Sequence, residues 1–93
     1  MFEIARTTQF KKDIKRVKKR SPDSFNELTT FIIHLARSGF DGIDTKYKPH
    51  YLKGVYKDCC ECHVKNDLLL IWREKKNPDI ITLVRTGTHS DLF

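Results

Sequence analysis

Residues 59–72 read CCECHVKNDLLLIW, two runs suited to extended chain that meet at the polar pair Lys65-Asn66. A polar pair between two such runs is a hairpin signal. Side chains on a strand alternate between faces. Cys59, Glu61 and His63 therefore share one face, and Cys60, Cys62 and Val64 the other. After the turn, Asp67, Leu69, Ile71 and Arg73 fall together, opposite Leu68, Leu70 and Trp72. Apolar side chains on both faces mark the second run as a central strand with helices covering one side. Its polar ends, Asp67 and Arg73, border an open groove.

Working outward, the pattern predicts strands over 55–64, 67–74 and 79–86, joined by Lys65-Asn66 and by Lys75 to Pro78 into an antiparallel meander. Upstream, Phe2 to Arg6 alternates as a first strand, and Thr7 or Thr8 can cap a helix over 9–20 with Phe10, Ile14 and Val17 on one face. The rest of that helix carries Lys11, Lys12, Lys15, Arg16, Lys18, Lys19 and Arg20, a solvated face or an RNA contact. Ser21 and Pro22 suit the start of a second helix, Phe25, Leu28, Phe31, Ile32, Leu35 and Ala36 give it an apolar stripe, and Gly39 stops it. His34 beside that stripe reads as a packing or surface residue. Residues 39–54, GFDGIDTKYKPHYLKG, form a loop long enough to suggest function. The expected fold is α+β: an N-terminal strand and a two-helix hairpin packed on a small mixed or antiparallel sheet, in the order β-α-α-β-β-β, as one domain over 1–93.

Ninety-three residues leave no room for a second core, and 39% hydrophobic content suits a folded chain rather than a disordered polycation. Eighteen Lys and Arg against twelve Asp and Glu leave a net charge of +6, which favours polyanionic partners. No apolar run is long enough to cross a bilayer, and Met1-Phe2-Glu3-Ile4 lacks the layout of a signal peptide, so a cytoplasmic protein without a membrane partner is expected. Cys59, Cys60 and Cys62 are an odd, bunched set that makes a poor disulfide framework. Alternation also points Cys60 and Cys62 away from Cys59 and His63, and no second ligand pair is spaced to complete a zinc site. No metal and no cofactor are expected.

What remains is His50 in the long loop, Glu61 and His63 on a strand, Asp67 past the turn, and Arg85 with His89 at the end of the last strand. Imidazoles can take and give a proton near neutral pH, and a guanidinium fork suits a phosphate whose charge grows in a transition state. That set suits RNA cleavage by the substrate's own 2′-hydroxyl. A merely basic binding domain remains open at this point. Lys53, Lys57 and Arg73 are candidate substrate contacts.

The sequence resembles the YafQ-type toxins of the RelE/ParE superfamily, small endoribonucleases of type II toxin–antitoxin modules. The resemblance runs from QFKKDIKRVKKR through YKPHYLKGVYKDCCECHVKNDLLLIW to RTGTHSDLF. Its most specific parts are His-x-Leu-x-Gly at 50–54, acid-x-His-Val-x-x-Asp at 61–67, and Arg-Thr-Gly-Thr-His followed by Leu-Phe. It implies a RelE-like microbial RNase fold. It also implies a metal-independent mRNA interferase acting in the ribosomal A site and neutralised by a cognate acidic antitoxin. By the same resemblance His50, His63, Asp67 and His89 are catalytic, Arg85 holds phosphate, and Phe93 lies near the substrate base. Glu61 stands where aspartate is common and is expected at the substrate. His89 is expected beside Arg85 as the general acid, with His50 or Asp67 taking the 2′-proton. The rival readings are a gyrase-poisoning toxin of the ParE branch and a basic RNA-binding domain without catalysis.

Overall fold

Thr7 opens the first helix, its side-chain oxygen accepting from the Phe10 amide at 3.0 Å. Ser21 closes that helix and caps the next, accepting from the Ser24 amide at 3.2 Å with Pro22 at the first helical position. The computed structural model describes residues 1–93, in the order β1 (Glu3–Arg6), α1 (Thr8–Arg20), α2 (Pro22–Ser38), β2 (His50–Tyr51), β3 (Cys60–Lys65), β4 (Leu68–Lys75), β5 (Ile80–Gly87) and α3 (His89–Leu92). Gly39, at φ +69°, ends α2 where a Cβ would lie 2.8 Å from the Phe2 ring, so the position requires glycine.

The strands form one mixed sheet in the order β1-β5-β4-β3-β2, with β1 parallel to β5 and the other pairs antiparallel. β4 is the central strand, as its two apolar faces predict. Cys60, Cys62, Leu68, Leu70, Trp72, Ile81 and Leu83 meet Phe10, Val17, Leu28, Phe31 and Leu35 of the helical hairpin in the main core. On the opposite face Cys59, Leu69, Ile71 and Leu92 form a second, smaller core, roofed by Leu52, Tyr56 and Val84. The cysteines divide between the two cores as the alternation predicts.

Two expectations change, and one element is new. The strand predicted over 55–64 begins at Cys60, because residues 54–56 form a 3-10 turn and the Cys59 amide bonds back to the Tyr56 carbonyl at 3.0 Å. The loop over 39–54 contains β2, a two-residue edge strand that makes five strands where four are predicted. The tail after Gly87 is a short helix, whose start is fixed by a capping box in which Thr88 and Asp91 satisfy each other's backbone amides. No helix is long and apolar enough to cross a membrane.

Candidate active site

One register line crosses four strands: His50 of β2 faces Glu61 of β3, which faces Ile71 of β4, which faces Arg85 of β5. The next line carries His63, Leu69 and Gly87. Ile71 and Leu69 are sealed under the small core, so the polar groups emerge around its margin. His50 and Arg85 start from backbone positions three strand spacings apart, about 14 Å.

His50 Nδ1 lies 2.8 Å from the Lys48 carbonyl oxygen, an acceptor only, so this nitrogen carries a proton. Nε2 lies 3.1 Å from Glu61 Oε1. A carboxylate is also an acceptor only, so the contact is closed by one proton lying between the ring and the acid. Glu61 is buried, and its Oε2 has no hydrogen-bond partner. Its carboxylate is covered and aimed at His50.

His63 stands between two other imidazoles, 6.5 Å from the His50 ring and 5.7 Å from the His89 ring, measured between centroids. Asp67 Oδ1 accepts from the His89 backbone amide at 2.9 Å and lies 3.3 Å from His89 Nδ1. Those donors, the backbone amide first, hold the Asp67 carboxyl below the usual carboxylate range. His89 is thereby placed beside Asp67 at the start of α3. Phe93 continues the line, 6.2 Å from His89 and edge-on to Tyr56 at 5.7 Å. Leu92 is buried beneath it while Phe93 remains 64% exposed.

Arg85 is more constrained than expected of a free phosphate ligand. Its Nε and Nη2 donate to Asp13 at 2.7 and 3.2 Å, and its Nη1 donates to the Tyr56 hydroxyl at 3.4 Å. Its side chain is 19% exposed. The bond from Asp13 raises the guanidinium pKa further. Burial by itself would raise the Asp13 carboxyl, but donors from Arg85, Gln9 and the Thr86 amide outweigh it and hold the group down. Arg16 and Arg20 reach across to Asp91 of α3 at 3.7 and 2.8 Å. Asp13, Tyr56 and Asp91 are absent from the sequence-based site. Asp13 alone left a signal, an acid three residues after Phe10 and four before Val17 on the apolar face of a basic helix.

A family model described as a bacterial toxin of a type II toxin–antitoxin system, YafQ, matches residues 2–93. The chain belongs to the YafQ toxin family. The mRNA interferase toxin YafQ of Escherichia coli K12 is 33% identical to it over 91 residues, covering 98% of this chain and 95% of that one. A metal-bound toxin from Helicobacter pylori has a crystal structure of TM-score 0.85 to it, at 41% identity over the whole of both chains. The toxin in the E. coli DinJ–YafQ complex scores 0.82 at 31% identity, covering 100% of this chain and 99% of that one. Fold and family therefore agree: this is a toxin of a type II toxin–antitoxin system with the α+β architecture of the YafQ toxins.

Within that YafQ frame, Lys53 and Lys57 are exposed on the segment between β2 and β3, and Arg73 lies one step further along β4 than Ile71, its Nη2 4.0 Å from Cys59 Sγ. The three cysteines are buried free thiols. Burial, with Glu74 and Cys59 nearby, pushes the Cys60 thiol up to about 12. No three His, Cys, Asp or Glu side chains converge as a set that could hold a metal ion.

Proposed function

We propose that this YafQ-family toxin is an mRNA interferase, an endoribonuclease that cuts mRNA in the ribosomal A site in the cytoplasm, and that residues 1–93 act as one domain. The observation that carries the reading is the row of imidazoles His50, His63 and His89, with centroid spacings of 6.5 and 5.7 Å, running from Glu61 to Asp67. General acid–base cleavage needs one group that accepts a proton and one that donates it a few ångströms away.

In the proposed reaction the substrate's 2′-oxygen attacks the adjacent phosphorus, and the bond from phosphorus to the 5′-oxygen breaks. The products are a 2′,3′-cyclic phosphate and a 5′-hydroxyl. His63 receives the 2′-proton, since its ring has no hydrogen-bonding partner in the protein to compete. His89, with Asp67 on Nδ1, directs Nε2 outward and protonates the leaving oxygen. This reassigns the base from His50 or Asp67. Both His50 nitrogens already face partners, the Lys48 carbonyl and Glu61, and Asp67, committed to His89, is held in its anionic form. His50 and Arg85 supply positive charge for the phosphoryl oxygens. Phe93 stacks on a base, and Lys53, Lys57 and Arg73 meet flanking phosphates. No resident metal is assigned a step.

The partner is an acidic antitoxin, in keeping with the DinJ complex of the E. coli relative and with the +6 charge of this chain. Expression in cells followed by primer extension tests the reading. New in-frame 5′ ends on mRNA are expected, and their absence with translation intact overturns it. A gyrase-directed toxin would instead arrest DNA supercoiling and leave transcripts whole.

A further inference from the structure

β1 ends at Arg6, paired with Leu83, so β5 runs on beyond its parallel neighbour with an open edge. Two side chains finish that edge: the Thr7 hydroxyl donates to the Val84 carbonyl at 2.9 Å, and Asp13 accepts from the Thr86 amide at 3.2 Å. Asp13 is 0% exposed, and an unpaired carboxylate there would be costly to bury. Besides Thr86 it accepts from Arg85 Nε and Nη2, from Arg16 Nη2 at 3.1 Å and from Gln9 Nε2 at 3.1 Å. The carboxylate is therefore bonded to the backbone of the strand that carries Arg85 and, through two adjacent donors, to the guanidinium itself.

From this geometry we propose that Asp13 is the positioning residue for Arg85, fixing the plane of the guanidinium so that its outer edge meets the phosphoryl group as cleavage proceeds. The proposal rests on the reading of Arg85 as a phosphate ligand. Two-point contact through Nε and Nη2 sets orientation as well as proximity. The Tyr56 hydroxyl on Nη1 holds the remaining terminus. Of the guanidinium's five N–H donors, those three contacts leave the outward-facing ones for substrate. Asp13 does not cancel the charge of the site, because Arg16 shares the carboxylate and the trio of Arg16, Arg85 and Asp13 stays cationic. An arginine already held in one rotamer loses little freedom when the phosphate arrives.

The alternative is that Asp13 merely fastens α1 to the sheet. A double-mutant cycle in single-turnover cleavage of mRNA bound to ribosomes separates the two, using the intact protein, Asp13→Asn, Arg85→Ala and the double variant. Asp13→Asn should slow the cleavage step about tenfold to a hundredfold, the range that a displaced catalytic group produces, with half-saturating ribosome concentration nearly unchanged. In the Arg85→Ala background it should cause less than about a twofold further change. Equal slowing in both backgrounds, or none in the intact protein, overturns the proposal. If Arg85→Ala cleaves normally, the reading of Arg85 fails, and this inference with it. Should Asp13→Asn not fold, NMR on the 15N-labelled intact protein decides without any substrate. A resolved, slowly exchanging Arg85 Nε–H is expected, and one averaged with the exposed arginines overturns the clamp.

Discussion

The buried Glu61 carboxylate and the half-exposed His50 ring meet at 3.1 Å, and the Lys48 carbonyl oxygen lies 2.8 Å from the far nitrogen, so the ring is held from both sides. Glu61→Gln keeps an acceptor for Nε2 and removes the negative charge. Cleavage at neutral pH is expected to fall about tenfold, roughly 1.4 kcal/mol of transition-state stabilisation. Single-turnover rates for the Gln and Leu variants check this, with Leu the slower of the two. An unchanged rate in both would leave Glu61 without a role in charge stabilisation.

His89→Ala should reduce cleavage by about a hundredfold to ten-thousandfold, the range for loss of a general acid, with binding to ribosomes close to normal. Co-sedimentation with ribosomes alongside primer extension separates the two effects. Lost binding with a proportionate loss of cleavage would make the residue a docking contact instead.

Deleting Phe93 should lower cleavage about tenfold to a hundredfold, the worth of one base-stacking contact at 1.4 kcal/mol per decade, with the melting temperature nearly unchanged. Leu92→Ala is the contrasting variant. It opens the small core against Leu69, Ile71 and Cys59 and should cost about 2–4 kcal/mol of stability. Thermal melts of the two variants decide: a Phe93 deletion that melts early means that the ring is packing rather than a substrate contact.

Replacing Cys60 and Cys62 by alanine removes buried atoms from the main core and should lower stability while leaving cleavage measurable; Cys59→Ala does the same in the small core. Because a Helicobacter pylori relative is metal-bound, the same samples should be assayed with and without a chelator. Cleavage is expected in both. One equivalent of zinc lost together with activity would require a metal in the reaction.

The Asp91 carboxyl is held far below its ordinary range, first by the Arg20 side chain and then by the Thr88 amide. A depressed folded-state value contributes stability above the unfolded value, about 3.9, and that contribution is lost as the pH falls. Asp13, also held down, adds in the same direction. The melting temperature should therefore drop steeply below about pH 4, and Asp91→Asn should flatten part of that slope. A variant with the same acid slope as the parent would show that α3 is held by Leu92 alone.

The alternation in residues 59–72 was sufficient to place β3, β4, the split of the cysteines and the centrality of Trp72, because period two ties sequence directly to face. β2 escaped notice because two residues carry no period, and Pro49 beside it reads as loop. Glu61 was assigned to the correct face. Alternation could not reveal that residues 52–56 and 92 roof that face and leave only its margin open. Asp13 was hidden by its setting: a lone acid among seven Lys and Arg reads as a local surface pair, and Arg16 does occupy that spacing. Its link to Arg85 spans 72 residues, beyond the reach of any local pattern.

The parallel pairing of residues 3–6 with 80–83 also ties closure of the sheet to two segments far apart in the chain. Contacts between segments so far apart form slowly, since a long loop must close before they give any return. A growing chain has the helical hairpin early but lacks β5, the strand that joins β1 to the rest of the sheet and leads into His89. The sheet therefore closes only when β5 slots between β4, made just before it, and β1, made long before.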